Sequence, residues 1–145
     1  MKLSNNLSLK EVTKSVTATR KGISNEPTQQ HLQNLTIIAN EVFQPIREHF
    51  NEPIYISSGY RSRALNKAIG GSKSSHHCKG MALDLDQDYR NTNVTNEQIF
   101  NYIKDNLEFT QLINENNYSW VHVSYDSRDL KKEMLELKNG KYIRL

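Results

Sequence analysis

Three residues suited to binding a metal ion lie far apart in this chain, and bringing them together constrains its fold more than any other feature. His77 and Asp84 stand seven positions apart, and His122 follows in a separate apolar run. Two imidazoles and one carboxylate leave a zinc ion one open position for water, as in catalytic zinc sites, whereas structural sites are closed by four protein ligands. Cys78 is the only cysteine, which excludes a closed thiolate site. The set therefore predicts metal-assisted hydrolysis.

Strand alternation explains how these residues can converge. Residues 81–86 and 119–125 are typical of β-strands, in which successive side chains point to opposite faces. Asp84 and His122 each stand on the face opposite the aliphatic residues of their strand. If the two strands pair, both side chains lie on one open face of the sheet, and His77 enters from the preceding loop. Periodicity alone does not show that the strands are neighbours, so their pairing is an expectation.

Two capping boxes mark the start of helices in this chain. Ser8 with Glu11 and Thr95 with Gln98 each place a hydroxyl residue three positions before an acid or amide that can reach back to it. This spacing is the signature of a helix N-terminus. We expect a short helix from about residue 9 and another from Thr95 to about residue 107.

A longer helical pattern lies between residues 29 and 50. Apolar residues recur there at helical spacing, and Pro45 is expected to kink or divide the helix. The shorter apolar runs predict a helix at 63–69 and strands at 54–57, 81–86, 109–114, 119–125 and 134–145. The chain therefore reads as one α+β domain, residues 1–145, without repeats or a linker.

Size and composition restrict the class of protein. A chain of 145 residues with 36% hydrophobic and 24% charged residues is typical of a single globular domain. Its net charge of +3 is small and the basic residues are scattered, which argues against nucleic-acid binding. No apolar run is long enough to span a membrane, and no secretory signal follows Met1. We expect a monomer without a membrane segment.

Several separate motifs occur in an order that resembles one family of enzymes. They are Ser57-Ser58-Gly59-Tyr60-Arg61-Ser62, Leu65-Asn66, Gly70-Gly71-Ser72, the Ser-x-His-x-x-Gly-x-Ala-x-Asp pattern that ends at Asp84, and Trp120-x-His122. Together they are similar to the zinc D-Ala-D-Ala carboxypeptidase-type peptidases. These peptidoglycan-cleaving enzymes include bacterial carboxypeptidases, vancomycin-resistance dipeptidases and phage endolysins. The resemblance extends from the first capping box to about Tyr125.

The resemblance implies both a fold and a ligand set. The fold is expected to be a small α+β domain with a central antiparallel sheet and helices packed on one side. Zinc is expected to be held by His77, Asp84 and His122. The alternative is that these are a polar loop residue, a solvated strand residue and a core histidine. His76 and Cys78 flank the first ligand, but neighbours on an extended chain point apart, so we expect neither to bind the metal.

The general base is less clearly marked than the ligands. Many relatives carry an acid three residues before the last histidine, where this chain has Ser119, and others carry a histidine two residues before it, where this chain has Trp120. Glu115 is the nearest upstream carboxylate and is our candidate for the group that accepts the proton from water. The alternative is a solvated residue entering a turn. Asp86 is the next candidate.

Arg61 and Ser75 are candidate substrate contacts. The planar guanidinium of arginine suits a peptide carboxylate or a developing oxyanion, and Arg61 follows a predicted short strand. Ser75 stands two residues before His77 and can offer a hydroxyl to the substrate. The alternatives are a surface ion pair for Arg61 and a loop-capping hydroxyl for Ser75.

These observations lead to a function as an expectation. We expect a zinc metallopeptidase that hydrolyses a peptide bond in the stem or cross-link of peptidoglycan, as a phage or prophage lytic enzyme. Without a secretory signal, such an enzyme is made in the cytoplasm and reaches the wall by holin-type release or virion delivery. The alternatives are a cytoplasmic D-Ala-D-Ala dipeptidase and an inactive, metal-stabilised wall-binding or virion structural module.

Overall fold

Helices and strands are mixed along the whole chain. The computed structural model describes residues 1–145. The helices are α1 (Leu9–Thr13), α2 (Val16–Lys21), α3 (Gln29–Ile38), α4 (Gln44–Phe50), α5 (Arg63–Ala68) and α6 (Asn96–Asn106). The strands are β1 (Lys2–Ser4), β2 (Leu7–Ser8), β3 (Ile56–Ser58), β4 (Ala82–Leu85), β5 (Gln111–Glu115), β6 (Trp120–Ser124), β7 (Glu133–Lys138) and β8 (Lys141–Arg144). This mixture confirms the α+β class. None of the helices has the length and apolar character that a bilayer crossing requires.

The two predicted capping boxes are present and begin α1 and α6. Ser8 Oγ accepts a hydrogen bond from the Glu11 N–H, and the Glu11 carboxylate accepts one from the Ser8 N–H. Thr95 and Gln98 make the same pair of bonds. Each box satisfies backbone donors that the first turn of a helix leaves without intrahelical partners.

Helix α2 is an element that the sequence analysis does not predict. Three of its first four residues are β-branched, which lowers helix propensity. Its ends are nevertheless marked, because Ser15 Oγ accepts from the Ala18 N–H at 3.1 Å and Gly22 closes the helix with φ of 65°. Local caps, rather than a long apolar stripe, define this helix.

The helix predicted between residues 29 and 50 is divided, as Pro45 predicts. Helix α3 passes into a π-helical segment, Ala39–Phe43, which passes directly into α4. Pro45 lies in the first turn of α4. Its ring crowds the carbonyl four residues earlier and it has no N–H to bond it. The wider turn of the π-helical segment accommodates both effects.

Strands β3 to β8 form one six-stranded sheet in the order β3-β4-β6-β5-β7-β8. The expected pairing of β4 with β6 is confirmed, with Asp84 directly opposite His122. Every ladder in this sheet is antiparallel except β5–β7, which is parallel. The sheet is therefore not wholly antiparallel as the resemblance implies. Strand β6 already occupies one side of β5, so the chain returns to the start of β5 and adds β7 on the other side.

The C-terminal tail predicted as strand from 134 to 145 is a hairpin. Strands β7 and β8 pair antiparallel around Asn139 and Gly140, whose φ values are 53° and 75°. Two consecutive residues with positive φ match the two-residue hairpin turn that Asn-Gly favours. The hairpin extends the sheet by two strands beyond β5.

One face of the sheet packs against the helices and forms the core. On β4, β5 and β6 the residues of this face are buried, and α3, α4 and α6 supply the aliphatic and aromatic side chains that cover them. The central strand residues are Leu83, Leu85, Leu112, Val121 and Val123, each 0% exposed. Burial of one such side chain contributes about 1.5–3 kcal/mol. The opposite face of the same strands is left to form a cleft.

Candidate metal centre and cleft

The three predicted metal ligands lie together at the cleft face of the sheet. His77 belongs to a 3₁₀ turn, His76–Lys79, while Asp84 and His122 come from the adjacent strands β4 and β6. Asp84 Oδ1 lies 3.3 Å from His77 Nε2 and 3.0 Å from His122 Nδ1. One nitrogen or oxygen atom of each residue lies within 4.8 Å of the others, so the three side chains are close enough to share one metal ion.

The surroundings of His77 fit a metal ion. Its Nδ1 lies 2.7 Å from the Gly59 carbonyl, which can only accept a hydrogen bond, so Nδ1 carries the hydrogen and neutral His77 presents the lone pair of Nε2. This Nε2 is buried, has no hydrogen-bond partner and faces a carboxylate oxygen of Asp84. Two acceptors at this distance repel each other, and a cation between them removes the repulsion.

The carboxylate of Asp84 is held in its ionised form. Burial by itself raises the pKa of Asp84, but when His77 is protonated its positive charge and the hydrogen bond from His122 outweigh burial, so the pKa of Asp84 then lies well below its usual range. With His77 neutral, that positive charge has to come from another group. A carboxylate that remains ionised while buried requires positive charge beside it. A divalent cation bound to the same atoms meets that requirement.

Two glycines allow the backbone to bring His77 into place. A Cβ at Gly59 would lie 2.5 Å from the Val12 carbonyl oxygen of α1, so a larger residue would displace the carbonyl that orients the His77 ring. Gly80 ends the 3₁₀ turn with φ of 73°, a conformation that is costly for residues with a Cβ. These contacts give a physical reason for the glycines in the motifs.

Arg61 contacts the candidate metal group, which is the cluster of His77, Asp84 and His122, rather than the protein surface. Its Nη2 donates to Asp84 Oδ2 at 3.3 Å, its Nε donates to Ser58 Oγ at 3.0 Å, and its Nη1 donates to Asn66 Oδ1 at 3.3 Å. The side chain is 15% exposed and borders the cleft. The expected alternative of a surface ion pair is wrong in its location, because this ion pair is largely buried. The role of Arg61 toward substrate stays a prediction.

Ser75 caps the turn that carries His77. Its Oγ accepts a hydrogen bond from the His77 N–H at 3.1 Å, which is the loop-capping contact considered as the alternative. The residue also borders the cleft, and its hydroxyl hydrogen remains available to donate. Substrate contact by Ser75 stays a prediction.

Glu115 lies on the cleft face, in the strand next to that of His122. It pairs with Trp120 across the β5–β6 ladder. It is two residues along β5 from Ile113, which pairs with His122, so both pairs lie on the cleft face. The residue is 7% exposed. Burial, and then the negative charge of Asp84, raise the pKa of Glu115, although a charged His122 opposes them. A carboxyl group with a raised pKa in a cleft is a candidate acid–base group.

The neighbouring candidates lie elsewhere. His76 is half-buried and borders the cleft but is not part of the metal group, and Cys78 is buried. Asp86 Oδ1 accepts hydrogen bonds from the Asp88 N–H and from Asn96 Nδ2. It therefore fastens the start of α6 to the end of β4 and does not contact a candidate metal ligand.

Sequence analysis misses the far wall of the cleft. The cleft has a volume of about 640 Å³ and is bordered by Leu135 and Leu137 of β7 and Tyr142 of β8, as well as by the residues named above. The Asn139-Gly140 pair was the available signal, since it predicts a hairpin. Which face of that hairpin meets the cleft depends on its pairing with β5, which the sequence does not reveal.

Comparison with known proteins agrees with this geometry. A family model described as Peptidase M15 matches residues 5–124. No curated protein matches the chain. The matched segment contains the metal group and Glu115 and ends before β7 and β8. With a match over most of its length, the chain belongs to the peptidase M15 family, whose members are zinc-dependent metallopeptidases.

Proposed function

We propose that this protein hydrolyses a peptide bond in the stem or cross-link of peptidoglycan, with zinc held by His77, Asp84 and His122. The observation that carries the proposal is the buried Nε2 of His77, which has no hydrogen-bond partner and faces the Asp84 carboxylate. Membership of the peptidase M15 family supports the peptide substrate and the metal. Bound by these three residues, zinc would supply Lewis-acid chemistry toward water and the scissile carbonyl.

Glu115 is proposed as the group that moves the proton. Its carboxylate takes a proton from the attacking water and gives it to the nitrogen of the leaving amine. Burial raises the pKa of Glu115, which makes the carboxylate a stronger proton acceptor. The positive charge of bound zinc would offset part of this rise, so the group could still release the proton. Its location one strand away from His122 places it beside the proposed ligands without making it one of them.

Arg61 and Ser75 are proposed to orient the substrate and the metal group. Arg61 holds Asp84 Oδ2, and its remaining N–H groups can donate to a substrate carboxylate or to the oxygen that gains charge in the transition state. Ser75 fixes the His77 backbone and can donate its hydroxyl hydrogen to the substrate.

The test is digestion of defined muropeptides and of free D-Ala-D-Ala, with fragments identified by mass spectrometry. We expect cleavage of muropeptides by the zinc-loaded protein and none after chelation, with activity restored by zinc. Cleavage of the free dipeptide alone would support the dipeptidase alternative instead. Binding to purified walls without release of new amino groups would overturn the enzymatic proposal and favour the inactive wall-binding or virion module.

We also propose a biological role, which is lysis of the wall by a phage or prophage enzyme. The support is the similarity of the motifs to those of phage endolysins. Isolated peptidoglycan sacculi in suspension should lose turbidity when the zinc-loaded protein is added, because cuts within cross-links open the network. Trimming of free stem ends leaves the network intact, so unchanged turbidity together with released D-alanine would replace the lytic role with a carboxypeptidase role.

A further inference from the structure

The hairpin of β7 and β8 lies outside the family match and still reaches the cleft. The match ends at residue 124, whereas β7 begins at Glu133. Across the ladders, Glu115 pairs with Leu137 and Leu137 pairs with Tyr142. Residues paired in this way point to the same face of a sheet, so Leu137 and Tyr142 continue the cleft outward from Glu115.

This outer part of the cleft is apolar. A second row runs from His122 through Ile113 to Leu135, so aliphatic side chains begin directly beside the metal group. Met134 points the other way and packs against the core. Leu135 and Leu137 remain partly exposed and border the cleft.

The charged groups on this face of the hairpin satisfy one another. Arg144 Nη2 lies 3.3 Å from Glu133 Oε2, and Gln111 Nε2 donates to Glu133 Oε1 at 2.9 Å. Glu133 lies in the row beyond Leu135, opposite Gln111, whereas Arg144 pairs with Leu135 on the outermost strand β8. The Arg144 side chain is 79% exposed, so it lies at the rim of this surface. The surface that remains for a ligand consists of two leucine side chains and the ring of Tyr142.

The two ends of the cleft therefore differ in chemistry. Arg61 and Ser75 provide hydrogen-bond donors at the β3 end, the metal group and Glu115 lie in the middle, and the hairpin provides apolar surface at the β8 end. A peptide that crosses the metal group to reach Arg61 must place its other part over the hairpin.

We infer that the β7–β8 hairpin forms a subsite for the methylene chain of a long side chain of the substrate peptide, such as lysine, with Tyr142 as its specificity-determining residue. The inference rests on the proposed peptidase function. Tyr142 is 59% exposed, so its ring is accessible to a ligand. Burial, and then the negative charges of Glu115 and Asp84, raise the pKa of Tyr142, so the phenol remains a neutral hydrogen-bond donor at the edge of this subsite.

The test uses two zinc-loaded variants and two stem peptides ending in D-Ala-D-Ala, one with lysine at the third position and one with alanine there. Tyr142→Ala removes the proposed contact. Ile143→Ala is the matched control, because Ile143 is 48% exposed, adjacent in β8 and on the opposite face. We expect Tyr142→Ala to raise KM for the lysine peptide about tenfold with kcat little changed, the size of effect of losing one apolar contact.

The alanine peptide sharpens this test. Because it lacks the long side chain, Tyr142→Ala should hardly change its KM, and the two changes should be non-additive, as for groups in contact. Tyr142→Phe separates the ring from the hydroxyl and should retain most of the lysine preference. Equal kinetics for Tyr142→Ala and Ile143→Ala on both peptides would overturn the inference while leaving the peptidase function intact.

A binding measurement separates the two proposals. Calorimetry with zinc-loaded Glu115→Gln protein gives the dissociation constant of each peptide without relying on turnover. If the wild-type protein cleaves neither peptide but the lysine peptide binds less tightly to the double variant with Tyr142→Ala, the subsite stands and the peptidase function fails. If neither peptide is bound or cleaved, both proposals are overturned.

Discussion

The two faces of the central strands differ in what their side chains contact. In β4, Leu83 points into the core and is 0% exposed, while the next residue, Asp84, points into the cleft and contacts Arg61, His77 and His122. On the core face, apolar burial holds the strands against helices. On the cleft face of the same strands, buried polar groups face one another. Neighbouring residues can therefore be separated experimentally into those that maintain the fold and those that are proposed to hold the metal.

The largest expected effect comes from removing a proposed ligand. His77→Ala, Asp84→Ala and His122→Ala should each lose zinc and hydrolysis together, because a cation needs all three groups to compensate for its lost hydration. Metal content by elemental analysis and peptide hydrolysis should be measured on the same samples. His76→Ala is the matched control, since His76 lies in the same turn outside the metal group. Full zinc occupancy in all three ligand variants would refute the assignment.

The second largest expected effect is a fall in catalytic rate with the metal still bound. Glu115→Gln keeps the size of the side chain but removes the proton acceptor, so we expect kcat to fall roughly 10²–10⁴-fold while zinc stays bound. Glu136→Gln is the control, because Glu136 occupies the opposite face of the adjacent strand β7. Activity near the wild-type level in Glu115→Gln would mean that another group moves the proton. Loss of zinc would mean that Glu115 supports the metal.

A core substitution should lower stability and leave zinc binding and catalysis unchanged. Leu83→Ala leaves a cavity between the sheet and the helices, so the free energy of unfolding should fall by about 2–5 kcal/mol. Zinc content and kcat should be retained wherever the variant is folded, since Leu83 faces away from the cleft. Urea denaturation with matched metal analysis measures both. If Leu83→Ala loses zinc in the folded state, the two faces are not independent.

Arg61→Lys tests the contact between the substrate end of the cleft and the metal group. Lysine keeps the charge but cannot hold Asp84, Ser58 and Asn66 together. We expect kcat/KM to fall about ten- to a hundredfold, the cost of one or two hydrogen bonds to a charged group, with zinc retained. Arg63→Lys, on the exposed first turn of α5, is the control. Wild-type kinetics would leave Arg61 with a structural role only.

The smallest effect is a change in titration. The pKa of Glu115 is raised in the metal-free protein, so its carboxylate protonates at a higher pH than an ordinary glutamate as acid is added. Zinc adds positive charge near this carboxylate and should lower its pKa. The base must be ionised to act, so the acid limb of kcat/KM should follow the pKa of the zinc-bound form. Carboxyl ¹³C titration with and without zinc measures both, and a pKa that does not fall on zinc addition would contradict this electrostatic link.

Local patterns predict the parts of this fold that local physics determines. The capping boxes at Ser8 and Thr95 identify two helices, and the alternation around Asp84 and His122 places both residues on one face, as observed. Helix α2 is not predicted, because its β-branched residues oppose the helix that its caps define. The parallel β5–β7 ladder is not predicted either, because the order of strands depends on which edge of β5 remains free after β6 has paired.

The candidate site is likewise predicted only in part, because some of its contacts depend on how distant strands pair. The three proposed ligands can be selected from residue type and spacing, but their roles stay a prediction. The contact of Arg61 with Asp84 could not be read from the sequence, because a long side chain chooses its partners only after distant strands have paired. The position of Tyr142 depends likewise on two successive ladders, β5–β7 and β7–β8.

The bond between His77 Nδ1 and the Gly59 carbonyl also has a consequence for the rate of metal uptake. It fixes the tautomer and the rotation of the ring in the folded chain before any ion arrives, so the ring loses little rotational freedom on binding. We expect the folded apoprotein to keep the three ligand groups facing one another, so that capture of the ion would not wait for a loop to close. Association of zinc with the folded apoprotein should then follow the exchange of water on the ion rather than a slow rearrangement of the chain.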